Sequence, residues 1–136
     1  MLSIEQITPQ LTWQLRRDVL YPGKYKHDME MEEDNEGYHF GAFTDNKLVA
    51  VISLFKHSDH HWQFRKFAVS EVLQGTGIGT QLLNYITNFV LNEGGQLLYC
   101  HARLSAIGFY EKHGYKQVGD VFNKGGIDFI RMEICL

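Results

Sequence analysis

Apolar residues recur along this chain at two different intervals, and each change of interval marks a new element. Leu11, Leu15 and Val19 fall every fourth residue, the spacing that turns side chains to one face of a helix. A helix over Pro9 to Leu20 is therefore predicted, with that stripe facing a core and Leu20 or Trp13 widening it. Thr8 is placed to cap it, and Pro9 stands at the first helical position, where proline is tolerated. Pro22–Gly23 ends it. From Lys24 to Gly37 no period holds, and Asp28, Glu30, Glu32, Glu33, Asp34 and Glu36 make this the most acidic stretch. It reads as a solvated loop pinned by Met29 and Met31, or as a rim that attracts a cation.

The pattern then becomes that of strands. Tyr38–Thr44 and Leu48–Phe55 are rich in β-branched and aromatic residues, and Asp45–Asn46–Lys47 supplies the turn of an antiparallel hairpin. Trp62 to Val69 is a third strand, reached through the polar link His57–His61. The helical interval returns in Ile78, Leu82, Ile86 and Phe89, with Leu83 and Val90 in support, and Gly94–Gly95 closes that helix near Glu93. Leu97–Cys100 reads as a short buried strand, and Ser105 starts a short helix that carries Tyr110 and leaves at Gly114. Tyr115–Phe122 and Phe129–Leu136 are closing strands around a turn at Asn123–Gly126. This order of helices and strands, with no repeat or interdomain linker, predicts one α/β domain over residues 1–136.

Composition narrows the class. A 136-residue chain that is 44% hydrophobic, with nine Phe, has material for one core and is poorly suited to disorder. Thirteen Lys and Arg against 16 Asp and Glu give a formal charge of −3, a balance that argues against a nucleic-acid partner. No basic start precedes an apolar run, and no apolar stretch approaches the roughly 20 residues that span a bilayer, so no membrane partner and a cytoplasmic location are expected. Cys100 and Cys135 lack the spacing of a zinc or redox motif and read as free thiols in strands. His57, His60 and His61 have no accompanying ligand pattern, so they read as a solvent-facing connector and no metal is expected.

The candidate chemistry begins at Gln74-Gly75-Thr76-Gly77-Ile78-Gly79, where three alternating glycines join an apolar strand to an amphipathic helix. Glycine leaves no side chain between an anion and the backbone. The unpaired amides and positive dipole end of the following helix favour a phosphate there. A tight turn in which glycine merely relieves crowding is the bland alternative. A Walker A loop is excluded because its Lys and hydroxyl are missing, and a dinucleotide fingerprint because the segment reads GxGxG instead of GxGxxG.

Phe67-Ala68-Val69 followed by that loop resembles the GNAT superfamily of N-acetyltransferases, and Ala106-Ile107-Gly108-Phe109-Tyr110-Glu111-Lys112-His113-Gly114-Tyr115 resembles its second signature. Two motifs in the right order make the resemblance specific, and it extends over most of the chain. It implies the acyl-CoA N-acyltransferase fold: a mixed, mostly antiparallel sheet flanked by helices, with central strands that splay. It implies acetyl-CoA as co-substrate. Backbone groups of Phe67 and Val69, with Ala68 between them, would receive the pantetheine arm as an added strand does. Gln74, Gly75, Thr76, Gly77, Ile78, Gly79 and Thr80 would hold the diphosphate. Tyr110 matches the tyrosine that faces the coenzyme sulfur and would act as general acid. Where relatives commonly place asparagine, this chain has His101, followed by Ala102 and Arg103.

The reaction so implied is acyl transfer, acetyl above all, to a primary amine by direct attack without a covalent enzyme intermediate. Cys100 is the residue a covalent route would use, but its apolar setting and lack of a base argue against that route. The general base stays open among His101, Glu36, His39 and a water chain, with His101 chosen for its ordinary pKa near neutrality. A noncatalytic acyl-CoA binder and an interaction scaffold are the competing classes. The acceptor is a small-molecule or peptide amine, and the acidic segment Asp28–Glu36 faintly favours a positively charged one. A monomer and a homodimer fit equally well.

Overall fold

The computed structural model describes Met1–Leu136. Its contacts gather into two compact units, Met1–Phe55 with Phe64–Phe89, and Lys56–Gln63 with Val90–Leu136. Seven strands, β1 (Leu2–Ile7), β2 (Tyr38–Thr44), β3 (Lys47–Lys56), β4 (His61–Val69), β5 (Leu97–Arg103), β6 (Lys116–Lys124) and β7 (Ile127–Cys135), form a mixed, mostly antiparallel sheet. Three α-helices accompany them, α1 (Trp13–Leu15), α2 (Ile78–Asn92) and α3 (Ile107–Lys112). The architecture is the one the family resemblance implied.

In the first unit the strand order is β1-β2-β3-β4. The β2–β3 hairpin forms where the sequence pattern placed it, since Asp45 and Asn46 both take positive φ, 51° and 63°, as a two-residue hairpin turn requires. β3 is buried without a break from Val49 to Phe55, the pattern of a strand covered on both faces. Phe40 packs edge-on against Tyr85 and Phe89 at 5.6 and 5.2 Å, which seats α2 on this part of the sheet. Ile78, Leu82, Leu83 and Ile86 are all buried, as their spacing predicts.

The second unit has the order β4-β5-β7-β6. β4 and β5 are parallel, and their register joins His61, Trp62 and Gln63 to Leu97, Leu98 and Tyr99, the first three residues of each strand. β5–β7 and β6–β7 are antiparallel, and a register shift between Val118 and Phe122 bends the outer strand. Leu98, Cys100 and Ala102 of β5 turn to the buried side together with Ile130 and Met132 of β7.

Five expectations need correction. β1 was not anticipated: its residues alternate only in part, and it is completed by pairing antiparallel along the whole of β2. The segment Pro9–Leu20 is helical but not one α-helix, passing from a 3-10 turn (Pro9–Thr12) through α1 to a π turn (Arg16–Leu20). Thr8 makes no side-chain cap bond. The buried stripe is also shifted by one residue, with Thr12 and Arg16 fully buried and Leu11 51% exposed, because Arg16 is drawn inward to a carboxylate. That carboxylate, Asp34, corrects the fifth expectation, since it is buried within the acidic segment that was read as solvated. Met29 does pin the segment, being buried as expected.

Candidate active site

Gln74–Gly77 form an exposed turn directly before α2. Gly75 and Gly77 sit at φ 81° and 90°, and a Cβ on either would meet nothing within 4 Å. Crowding is therefore not what demands glycine there. What demands it is backbone direction, since L-residues disfavour this region. The turn is held locally: Gln74 Nε2 donates to the Val69 carbonyl at 3.0 Å, tying the loop to the end of β4, and Thr76 Oγ1 donates to the Leu73 carbonyl. The Gln74 side chain thus braces the turn. Ser70 N donates to the Val49 carbonyl at 2.8 Å and fixes where the chain leaves the sheet. No charged side chain lies between Gln74 and Thr80, so the amides and dipole at the start of α2 set the local potential.

β4 leads into this turn and carries an irregularity with no signal in the sequence. Lys66 has φ 54°, a left-handed conformation inside a strand, immediately before Phe67, Ala68 and Val69. Ala68 is buried, while Phe67 and Val69 are half-buried, with Phe67 edge-on to Phe64 at 6.1 Å.

In the second unit α3 places Tyr110. The helix is closed by amides of His113, Gly114 and Tyr115 returning to the carbonyls of Tyr110, Glu111 and Tyr110, and His113 Nδ1 donates to the Phe109 carbonyl at 2.8 Å. Tyr110 is thereby held inward, 7% exposed, with its hydroxyl bonded to the Cys100 sulfur. Burial first, then Cys100 and Tyr115, keep its phenol well above the ordinary tyrosine range, so it is protonated at any physiological pH. Burial also pushes the Cys100 thiol up to about 12. A thiol this reluctant to ionise is a poor nucleophile. Sequence reasoning weighed Cys100 as a free thiol in a strand or as a nucleophile, and its place as the Tyr110 partner appears only in the fold.

His101 follows Cys100 in β5 and therefore points to the opposite face. It is exposed, with its ring edge-on to Phe122 at 5.0 Å and 6.0 Å from Tyr99. It shares no face with Tyr110. His39, another candidate base, is buried with both nitrogens engaged: Nε2 donates to the Asp34 carbonyl and Nδ1 accepts from Ser53 Oγ, each at 2.7 Å. Burial lowers its pKa. Glu36 is exposed in a 3-10 turn. His57 and His60 donate to Gln63 Oε1 and the Gly94 carbonyl, and no group of three or more His, Cys, Asp or Glu is arranged to hold a metal. Both cysteines are free, Cys100 buried and Cys135 exposed. No helix is long and apolar enough to cross a membrane.

Residues 6–136 match the family described as Acetyltransferase (GNAT) domain, and the chain belongs to that family. It is 27% identical over 135 residues, 93% of this chain and 91% of the relative, to the uncharacterised N-acetyltransferase YitI of Bacillus subtilis (strain 168). Its fold is shared with a Lactobacillus plantarum crystal structure assigned as an N-acetyltransferase, at TM-score 0.89 and 20% identity, covering 99% of this chain and 98% of that one. It is also shared with a GNAT family acetyltransferase of Elizabethkingia anophelis solved with acetyl-CoA bound, at TM-score 0.79 and 19% identity, covering 99% and 98%.

Proposed function

We propose that this protein transfers an acetyl group from acetyl-CoA to a primary amine by direct attack, with Tyr110 as general acid. The observation that carries the co-substrate is the turn at Gly75 and Gly77, whose left-handed backbone and open surroundings suit a diphosphate at the start of α2. The backbone of Phe67 and Val69, at the end of β4, is suited to pair with the amides of the pantetheine arm. A solved acetyltransferase of the same fold carries bound acetyl-CoA, which supports acetyl-CoA as the co-substrate.

In the reaction the neutral amine nitrogen attacks the thioester carbonyl carbon. A C–N bond forms, the C–S bond breaks, and the departing sulfur takes the Tyr110 phenolic proton while the amine sheds one of its own to solvent. Tyr110 suits this step because burial and Cys100 keep its proton in place until a thiolate develops. Cys100 acts by positioning Tyr110, and its raised pKa favours direct attack over an acyl-cysteine. The acceptor is a small-molecule or peptide amine.

Thiol release from acetyl-CoA across a panel of amines, with mass identification of the product, tests the activity. Tyr110→Phe tests the acid: CoA binding by calorimetry is retained while kcat falls by on the order of 10²-fold. Unchanged turnover in Y110F removes Tyr110 from the mechanism, and absence of CoA binding by the folded wild type removes the reading altogether.

A further inference from the structure

The first unit contains a cavity of about 320 Å³, lined in part by Tyr21, Lys24, Lys66, Asp28, Glu30 and Met31. That is at the lower end of the range for small-molecule sites, roughly 300–1,000 Å³. Its charges are of both signs. Arg16 also reaches the wall, but Asp34 already matches its charge through two 2.9 Å bonds. Lys66 is different. Its half-buried ammonium donates to Tyr21 Oη at 2.7 Å and lies 4.6 Å from that ring, with no carboxylate among its partners. A half-buried cation set against a neutral phenol on the wall of a cavity is placed to receive an anion.

The backbone supplies a second, independent observation. Lys66 occupies φ 54°, a conformation that disfavours a long L side chain and persists where the surroundings enforce it, often at functional sites. The kink falls one residue before Phe67, where the segment assigned to the pantetheine arm begins. The acidic segment meanwhile offers less to a purely cationic acceptor than its composition suggests, because Asp34 is matched by Arg16 and Glu33 by Arg65 at 3.0 Å.

We infer that the acceptor is a small amine that also carries an anionic group, held in this cavity by Lys66 with Tyr21 and Lys24. This rests on the acyl-transfer reading above and narrows its substrate class. Asp28 and Glu30 face the ammonium form of the same molecule, and the size of the cavity suits an amino-acid-sized ligand.

Matched probe pairs test this, each with and without the anion: L-amino acids against their amides, and O-phosphoethanolamine against ethanolamine. In the wild type kcat/KM favours at least one anionic member by about ten-fold or more, and the favoured pair tells carboxylate from phosphate. Lys66→Met brings that ratio close to one, whereas Lys66→Arg, which keeps the charge, preserves most of it. Equal use of both members by the wild type, or a ratio untouched in a folded K66M, overturns the inference while leaving acetyl transfer standing. Binding of the same probes, followed by amide shifts of Lys66 and Met31, supplies a readout without turnover. Saturable shifts from the anionic members alone, with no acetyl transfer, uphold the cavity and remove the transferase reading; no shifts and no transfer from any anionic probe overturn the inference.

Discussion

The Arg16 guanidinium grips the Asp34 carboxylate through two parallel 2.9 Å hydrogen bonds, with side-chain exposures of 0% and 4%. Arg16 also donates to the Met29 carbonyl and to Ser53 Oγ, and Asp34 accepts from Met31 N. One ion pair thus ties the first helical segment, the acidic segment and β3 together. Removing one partner leaves a buried charge unmatched, so Arg16→Met or Asp34→Leu alone costs about 3–5 kcal/mol in a urea titration. The double variant recovers much of that loss. If the single variants melt like the wild type, the pair has no structural role.

Acid should weaken the same region in two stages. Burial lowers the His39 pKa. Asp34 is pushed up by burial, but hydrogen bonds from Arg16 and Met31 and the Arg16 charge outweigh this and lower its pKa overall. In both cases the unfolded chain binds the proton more readily. The associated stability is complete above the unfolded histidine value, about 6.5, and falls as pH drops, first through His39 and then, below about 3.9, through Asp34. In His39→Gln the upper stage is missing from a plot of unfolding free energy against pH.

The two thiols should differ in reactivity at pH 8. Cys135 is exposed and reacts quickly with an aromatic disulfide reagent, whereas Cys100, buried and pushed up to about 12, reacts only as fast as the fold opens. Because the folded state holds the Cys100 proton more tightly, its contribution is complete below the ordinary thiol range and is lost as pH rises toward 12. Cys100→Ala therefore shows a shallower alkaline loss of stability, and it still turns over. An acetyl thioester trapped on Cys100 during turnover and located by mass spectrometry would restore the covalent route.

Gly77→Val separates anion binding from stability. The site is open, so the cost is the left-handed backbone, roughly 1–2 kcal/mol. CoA affinity falls ten-fold or more as the amides turn away and the branched side chain covers the turn. Equal affinity in G77V, measured by calorimetry, would mean that this turn does not hold the diphosphate.

His101→Gln should leave the pH–rate profile unchanged, because the ring lies against Phe122 on the face of β5 opposite Cys100. Loss of an ionisation near neutrality in that profile would return His101 to the mechanism.

Local patterning carried much of this molecule. The Asp45–Asn46 turn, the Ile78–Leu82–Ile86 face and the glycines before α2 each depend on a few neighbouring residues whose dihedral preferences or spacing are visible in the chain. The same is true of the two family motifs, which pick out the glycine turn and Tyr110 from contiguous residues. Pairings between distant residues were not visible. Arg16 finds Asp34 18 residues on, and no period along the chain announces that a charged side chain will displace Leu11 from the buried face. β1 acquires its strand from β2, Tyr110 meets Cys100 only when α3 closes against β5, and Lys66 takes its positive φ within a strand whose composition looks ordinary. Dihedral preference and periodicity are properties of short segments, so the sequence alone determined the β2–β3 hairpin, the buried face of α2 and the glycine turn. Burial of a charge, the pKa of a phenol and the walls of a cavity depend on what the rest of the chain brings alongside, and only the tertiary structure decided those.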